Sequence, residues 1–217
     1  MNPVTPEERS DSARQSRLFF ALGWAVLLSF LAYFVVKNVP HYFVFTAQSY
    51  GGYFWPRVSW LFPHVVSGLI AILIGPLQFW SGMRRKYLQA HRIAGRVYVA
   101  TVLSGSVAAL GLAATIDHGS AYSLGLAGLA LAWTTTTVMA FVAIRLKNIE
   151  QHKQWMIRSY VVTFAFVTFR LLDEALGKRH ILSDDERVKL LAWACWAIPL
   201  LVAEVVIQTR SMSKARA

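Results

Sequence analysis

Long apolar runs separated by short polar connections make up most of this chain. Crossing a hydrocarbon core of about 30 Å takes roughly 20 residues of helix, and six runs reach that length. The pattern therefore predicts an all-α polytopic membrane bundle with six transmembrane helices, occupying residues 17–210. The predicted spans are Leu18–Val36, Val58–Gly82, Ile93–Ile116, Tyr122–Ile144, Trp155–Leu176 and Val188–Gln208.

The two tails and the longest connection between these spans differ in composition. Residues 1–16 are polar and mixed in charge, without apolar periodicity, so we expect a disordered tail. Residues 211–217 form a short basic C-terminal tail. The connection from Asn38 to Pro56 carries seven aromatic residues, the composition of a segment at the level of the lipid headgroups.

The charge of the chain determines its predicted orientation. Hydrophobic residues make up 56% of the sequence and charged residues 15%, against about 45–50% and about 25% in soluble domains. The net charge is +11, and fifteen of the 22 Lys and Arg residues, including Arg84-Arg85-Lys86, fall on the side of the two termini. Because basic residues favour the cytoplasmic side, both termini are predicted to be cytoplasmic. We expect a lipid bilayer, and no nucleic acid, as the partner.

The second predicted span carries a stripe of small and polar residues. His64, Gly75 and Gln78 recur at helical spacing along one face, which favours close approach of a neighbouring helix. We therefore expect this span to be the central helix of the bundle. Pro76 should kink the span and free the carbonyl of Ile72 one turn back.

Two of the predicted spans begin with similar sequences. In both, a histidine and a basic residue precede Arg-x-Tyr-Val-x-Thr, although the distance from His to Arg differs by one residue. An internal repeat would place the two histidines at similar depth. Short basic and aromatic patterns are also common where helices leave a membrane, so chance similarity is the alternative. The two copies are His91-Arg92 with Arg96-Val97-Tyr98-Val99-Ala100-Thr101, and His152-Lys153 with Arg158-Ser159-Tyr160-Val161-Val162-Thr163.

Several motifs in order resemble a bacterial family of predicted multi-pass membrane proteins catalogued as a domain of unknown function. They are Arg57-Val58-Ser59-Trp60, His64-x-x-x-Gly68, Gly75-Pro76-x-Gln78-Phe79, His91-Arg92-x-x-Gly95-Arg96-x-Tyr98 and Trp155-Met156-Ile157-Arg158-Ser159-Tyr160. The resemblance covers residues 55–208 and implies a location in the bacterial cytoplasmic (inner) membrane. It assigns no catalytic residue. Fold plan and histidine placement also resemble those of membrane b-type cytochromes, which hold haem between paired histidines.

This histidine pattern favours b-type haem binding as the function, with His91 and His152 as ligands of the haem iron. Two imidazoles from different helices at similar depth are what a six-coordinate haem requires, and nearby arginines would pair with its propionates. Such a protein would transfer electrons between a membrane quinol and a redox partner. We expect His91 and His152 to share a pocket, with Gln78 and Glu204 near its wall. The candidate cofactor-binding residues are His64, Gln78, His91, Arg92, Arg96, His152 and Arg158.

Other interpretations stay open. The histidines also fit a structural role, as hydrogen-bond donors to neighbouring helices or headgroups, and Glu204 fits an ion pair at the depth of Arg96 and Arg158. A transporter or binding protein for a small anion would use Arg96, Arg158 and Arg170. A non-catalytic assembly or scaffold subunit is the third class. The chain has one cysteine and no hydrolase, nucleotide-binding or H-E-x-x-H motif, so the sequence assigns no enzymatic reaction.

Overall fold

The computed structural model describes residues 6–83, 87–179 and 182–215, and this part of the chain is built from α-helices joined by short turns. Arg84-Arg85-Lys86 and His180 lie outside the described residues. Six helical segments of the described chain are long and apolar enough to cross a membrane, which confirms the predicted six-span helical architecture. The α-helices are α1 (Pro6–Asn38), α2 (Ala47–Phe54), α3 (Val58–Met83), α4 (Leu88–Thr115), α5 (Ser120–Arg145), α6 (Ile149–Thr163), α7 (Ala165–Gly177) and α8 (Asp184–Ala215).

Some helix boundaries differ from the predicted spans. Helix α1 is described from Pro6, within the segment assigned to a tail, and α8 continues to Ala215. The fifth span is divided into α6 and α7 at Phe164, whose N–H is shared between two carbonyls at 3.2 Å each. The hydroxyl of Thr163 donates to the carbonyl of Ser159 at 2.9 Å, a contact that tends to bend helices.

The chain divides into two compact units, the first ending at Phe45 and the second beginning at Thr46. In the second unit, α3 packs along α4, and α5 packs along α4, α6 and α8. The core lies between these helices, and its most deeply buried side chains include Tyr98 and Val102 of α4. Short turns and the antiparallel order of the helices put the starts of α4 and α6 at the same end of this unit. We call it the basic end, because Arg92, Arg96 and Lys153 lie there.

Helix α6 packs against four helices of this unit, α3, α5, α7 and α8, whereas α3 packs extensively along α4 alone, so the second span does not have the predicted central position. Small residues of α5 face α8 and bring these two helices close. A Cβ atom at Gly125 would lie 2.9 Å from the Cβ of Ala192, and one at Gly128 would lie 3.1 Å from the ring of Trp196. Small residues on α5 therefore let a tryptophan-bearing helix approach closely.

The carbonyl of Ile72 lacks its hydrogen bond within α3, as predicted, and a side chain of another helix donates to it. Pro76 has no N–H to donate to it, and the hydroxyl of Tyr160 donates to it instead, at 3.0 Å. The Tyr160 ring passes directly over Gly75, where a Cβ atom would lie 1.9 Å from the ring carbon Cε2. The pair Gly75-Pro76 thus supplies both the space and the acceptor that join α6 to α3.

Candidate functional site

His152 is held at the beginning of α6 by the main chain of α5. The side chain of Asn148 caps α6 by accepting a hydrogen bond from the Gln151 N–H at 3.0 Å, and this sets the first turn of the helix. The Nδ1 atom of His152 lies 2.9 Å from the carbonyl oxygen of Ala140. Because a carbonyl can only accept, Nδ1 carries the proton, and the lone pair of the neutral ring is on Nε2. This arrangement is typical of histidines that bind a metal through the other nitrogen.

His91 has a similar position on α4. A hydrogen bond joins its ring to the main chain of Gln78 on α3, so His91, like His152, is tied to the helix that precedes its own. Both rings lie at the basic end, near enough for their positive charges to repel each other when both are protonated. Gln78 is 6% exposed, and its side-chain oxygen faces the backbone of Gly95 on α4. The structure thus joins Gln78 and His91, and it places His152 at the same end of the unit.

His64 lies apart from this group. It precedes Gln78 by fourteen residues on α3, which corresponds to about 21 Å along a helix axis. Its Nδ1 atom lies 3.0 Å from the carbonyl of Gly105, and its ring meets the edge of Trp133 with the centroids 6.3 Å apart. A Cβ atom at Gly105 would lie 2.8 Å from that of Ser67, so this contact between α3 and α4 depends on glycine. His64 is therefore too far away to act on the same ligand as His91.

The predicted arginines occupy two different settings. Arg92 and Arg96 are exposed on the first turns of α4. Arg158 is 7% exposed and forms the expected ion pair with Glu204 of α8, whose Oε2 accepts from both Nε and Nη2 at 2.7 Å. The guanidinium carbon lies 4.6 Å from the ring centroid of Trp155. The Nη1 atom is buried and has no hydrogen-bond partner among the described residues.

A buried hydroxyl network joins α4, α5 and α6, and sequence reasoning did not predict it. The hydroxyl of Tyr98 lies 2.9 Å from those of Ser159 and Thr163. Thr163 accepts from Nε1 of Trp133 at 2.8 Å, and Ser159 lies 2.7 Å from the hydroxyl of Thr137. Each of these groups has a partner, so the network is a structural polar core. In the sequence, the Tyr and Thr of the repeated motif are the feature that could have indicated this network.

Arg57 joins the loops at the opposite end of the unit. It donates to the carbonyls of Tyr53 and Thr115 at 2.7 Å each and pairs with Asp117 at 2.9 Å. The backbone N–H of Asp117 donates to the Tyr53 hydroxyl at 3.1 Å. These contacts fix α2 against the connection between α4 and α5. The Nε, Nη1 and Nη2 atoms of Arg57 therefore all have acceptors within the chain.

Among the described residues, no three His, Cys, Asp or Glu side chains form a group that would hold a metal ion. The cysteine is a buried thiol on α8. The assignment of His91 and His152 as ligands of a haem iron stays a prediction.

A protein family described as predicted membrane proteins, DUF2306, matches residues 61–207. This match covers more than half of the 217 residues. The chain belongs to this family. The comparisons with curated proteins and with solved structures found no match.

The DUF2306 match confirms the resemblance seen in the motifs, and the looser likeness to b-type cytochromes stays a prediction. Both the histidine pair and the ion pair of Arg158 with Glu204 lie inside the matched region. The features of the candidate site therefore belong to the DUF2306 region of the chain and not to its N-terminal helix.

Proposed function

We propose that this DUF2306 protein transfers electrons in the bacterial inner membrane and binds b-type haem between His91 and His152. The observation that carries the proposal is the anchoring of His152, whose Nδ1–H donates to Ala140 and leaves Nε2 as a ligand. His91 is tied to the main chain of Gln78 at the same end, near enough to His152 for positive charges on the two rings to repel each other. Two imidazoles on different helices thus lie at one end of the unit.

The residue types at the basic end, imidazoles and arginines, are those that a haem site requires. The porphyrin supplies four nitrogen ligands, so the protein needs to supply two, and bound haem would provide a one-electron redox couple. The exposed Arg92 and Arg96 are available for the propionates at the basic end. Arg158 was also expected to serve the propionates, but two of its nitrogens already bind Glu204. We therefore leave Arg158 out of the propionate role.

The test is the haem content of purified variants. We expect His91→Ala and His152→Ala each to lose most of the bound haem, measured as pyridine haemochrome per protein. His118→Ala is the matched control, because His118 lies in the connection between α4 and α5 and contacts the rings of Tyr53 and Tyr122. Equal haem content in all three variants would contradict the assignment of the ligands.

His64 gives a second control within the helices. Because it lies about 21 Å along α3 from Gln78, His64→Ala should retain the haem held at the basic end. Loss of half of the haem in this variant would instead reveal a second haem with His64 as a ligand. Loss of all haem would contradict the separation of the two histidine sites.

A ligand-binding or transport function is the second candidate, and one observation favours it. The buried Nη1 of Arg158 has no hydrogen-bond partner among the described residues, as expected of an arginine that donates to a ligand. Ligand-dependent thermal stabilisation without a chromophore, abolished in Arg158→Lys, would support this function over electron transfer.

A further inference from the structure

The guanidinium of Arg158 is incompletely satisfied inside the membrane-spanning part of the chain. Nε and Nη2 both donate to Oε2 of Glu204, whereas Nη1 is buried without a partner among the described residues. In hydrocarbon no bulk water is available to accept from such a donor. An acceptor oxygen from outside the chain would complete the arrangement once the side chains that cover Nη1 move aside.

The charges around Arg158 define the class of that acceptor. The carboxylate of Glu204 balances the guanidinium, and its second oxygen, Oε1, accepts from Nε2 of Gln208 at 2.7 Å. An anionic ligand would therefore meet a pair without net charge and would be desolvated with little compensation. A neutral ligand with a carbonyl oxygen fits this setting better.

The surroundings indicate how the ligand enters. The side chain of Glu204 is 40% exposed, and its neighbours on α8, Leu201 and Val205, are 64% and 58% exposed. This face is apolar apart from Glu204 and Gln208, so it opens toward lipid. Arg158 lies three residues after the start of the predicted span at Trp155, about 5 Å along the helix. The carbonyl of a quinone head group and the ester carbonyl of a phospholipid both reach that depth.

We propose that Arg158 and Trp155 bind the head group of a lipid-soluble quinone, with Nη1 donating to a quinone carbonyl beside the indole ring. A quinone is neutral, carries carbonyl acceptors on a flat ring and has an apolar tail that suits the exposed α8 face. This names the electron partner of the proposed haem protein, and its role in electron transfer rests on that function. The binding itself does not depend on haem.

The experiment measures saturable binding of decylubiquinone to the full chain in phospholipid nanodiscs. Arg158→Lys keeps a positive charge next to Glu204 but has no Nη1, and losing one charged hydrogen bond should weaken binding about tenfold or more. Arg170→Lys is the matched control, because Arg170 also lies near an aromatic ring, that of Phe166 at 5.3 Å. This control should bind like the wild type.

Equal affinity of the two lysine variants for decylubiquinone would overturn the proposal. Absence of saturable binding to the wild-type protein would also overturn it, because phospholipid or water would then be the acceptor for Nη1. Competition by benzoate would point to an anion site and also overturn it. If Arg158→Lys does not fold, a photoreactive quinone on wild-type protein replaces it, and labelling must map to the peptide containing Trp155. Labelling elsewhere contradicts the site.

Haem content, measured on the same samples, separates this proposal from the proposed function. A colourless protein that binds quinone through Arg158 retains the quinone site and refutes the haem. A haem-containing protein that fails to bind quinone retains the haem and refutes the quinone site.

Discussion

Replacing Gly75 by alanine is expected to disrupt the contact between α3 and α6. The added methyl carbon would lie 1.9 Å from Cε2 of Tyr160, with two more ring carbons at 2.5 Å. A separation this short cannot be accommodated unless the ring moves, because real carbon atoms in contact lie about 3.5–4.0 Å apart. Moving the ring also breaks the hydrogen bond from Tyr160 to the carbonyl of Ile72.

The size of the effect follows from these two losses. Overpacking a core by one methyl group costs about 1–3 kcal/mol, and a hydrogen bond between membrane helices contributes about 0.6 kcal/mol on average and about 1.7 at most. We therefore expect Gly75→Ala to lower the free energy of unfolding by about 2–4 kcal/mol. Pro76 makes the second loss larger than usual, because no backbone N–H replaces the tyrosine at Ile72.

The assay is reversible unfolding in mixed micelles, followed by circular dichroism. Gly68→Ala is the control on the same helix, since a Cβ atom there would have no heavy atom within 4 Å. Its alanine should leave stability unchanged or raise it by up to about 1 kcal/mol through helix propensity. The double variant Gly75→Ala with Tyr160→Leu should show strong coupling, because removing the ring removes the clash. Additive effects, or equal stability of the two alanine variants, would refute this explanation.

Two other substitutions test the buried polar contacts. Tyr98→Phe removes the hydroxyl between Ser159 and Thr163, and we expect a loss of about 1–2 kcal/mol in the same unfolding assay; an unchanged stability would contradict a structural role for the network. Arg158→Ala leaves Glu204 without its cation, which should cost about 3–5 kcal/mol; the additional change Glu204→Gln should recover much of that loss, and failure to do so would show that the pair does not act as a unit.

The sequence was informative where a local physical rule decides the outcome. Hydropathy and length predicted the spans because the membrane requires continuous apolar helices. Pro76 predicted the free carbonyl of Ile72 because the missing N–H is a property of the residue itself. An ion pair of Glu204 with Arg96 or Arg158 followed from matching depth in a medium where isolated charges are costly, and the structure forms the pair with Arg158.

Contacts that depend on helix rotation were not predictable in this way. The small residues of α3 suggested a central helix, but Gly125 of α5 serves the same purpose for α8. Likewise, the repeated motif drew attention to Tyr98 and Thr163, yet their pairing depends on how α4 and α6 turn toward each other. His64 was a candidate cofactor ligand near the opposite surface, and its position along α3 does separate it from His91. Periodicity defines the face of a helix but not its partner.

The most direct measurement of the central claim is the visible absorption spectrum of the wild-type protein, purified in detergent after expression with a haem supply. Two imidazole ligands at His91 and His152 predict a Soret band and, after dithionite reduction, the sharp bands of a six-coordinate b-type haem. A folded protein that stays colourless under these conditions would contradict the proposed haem site.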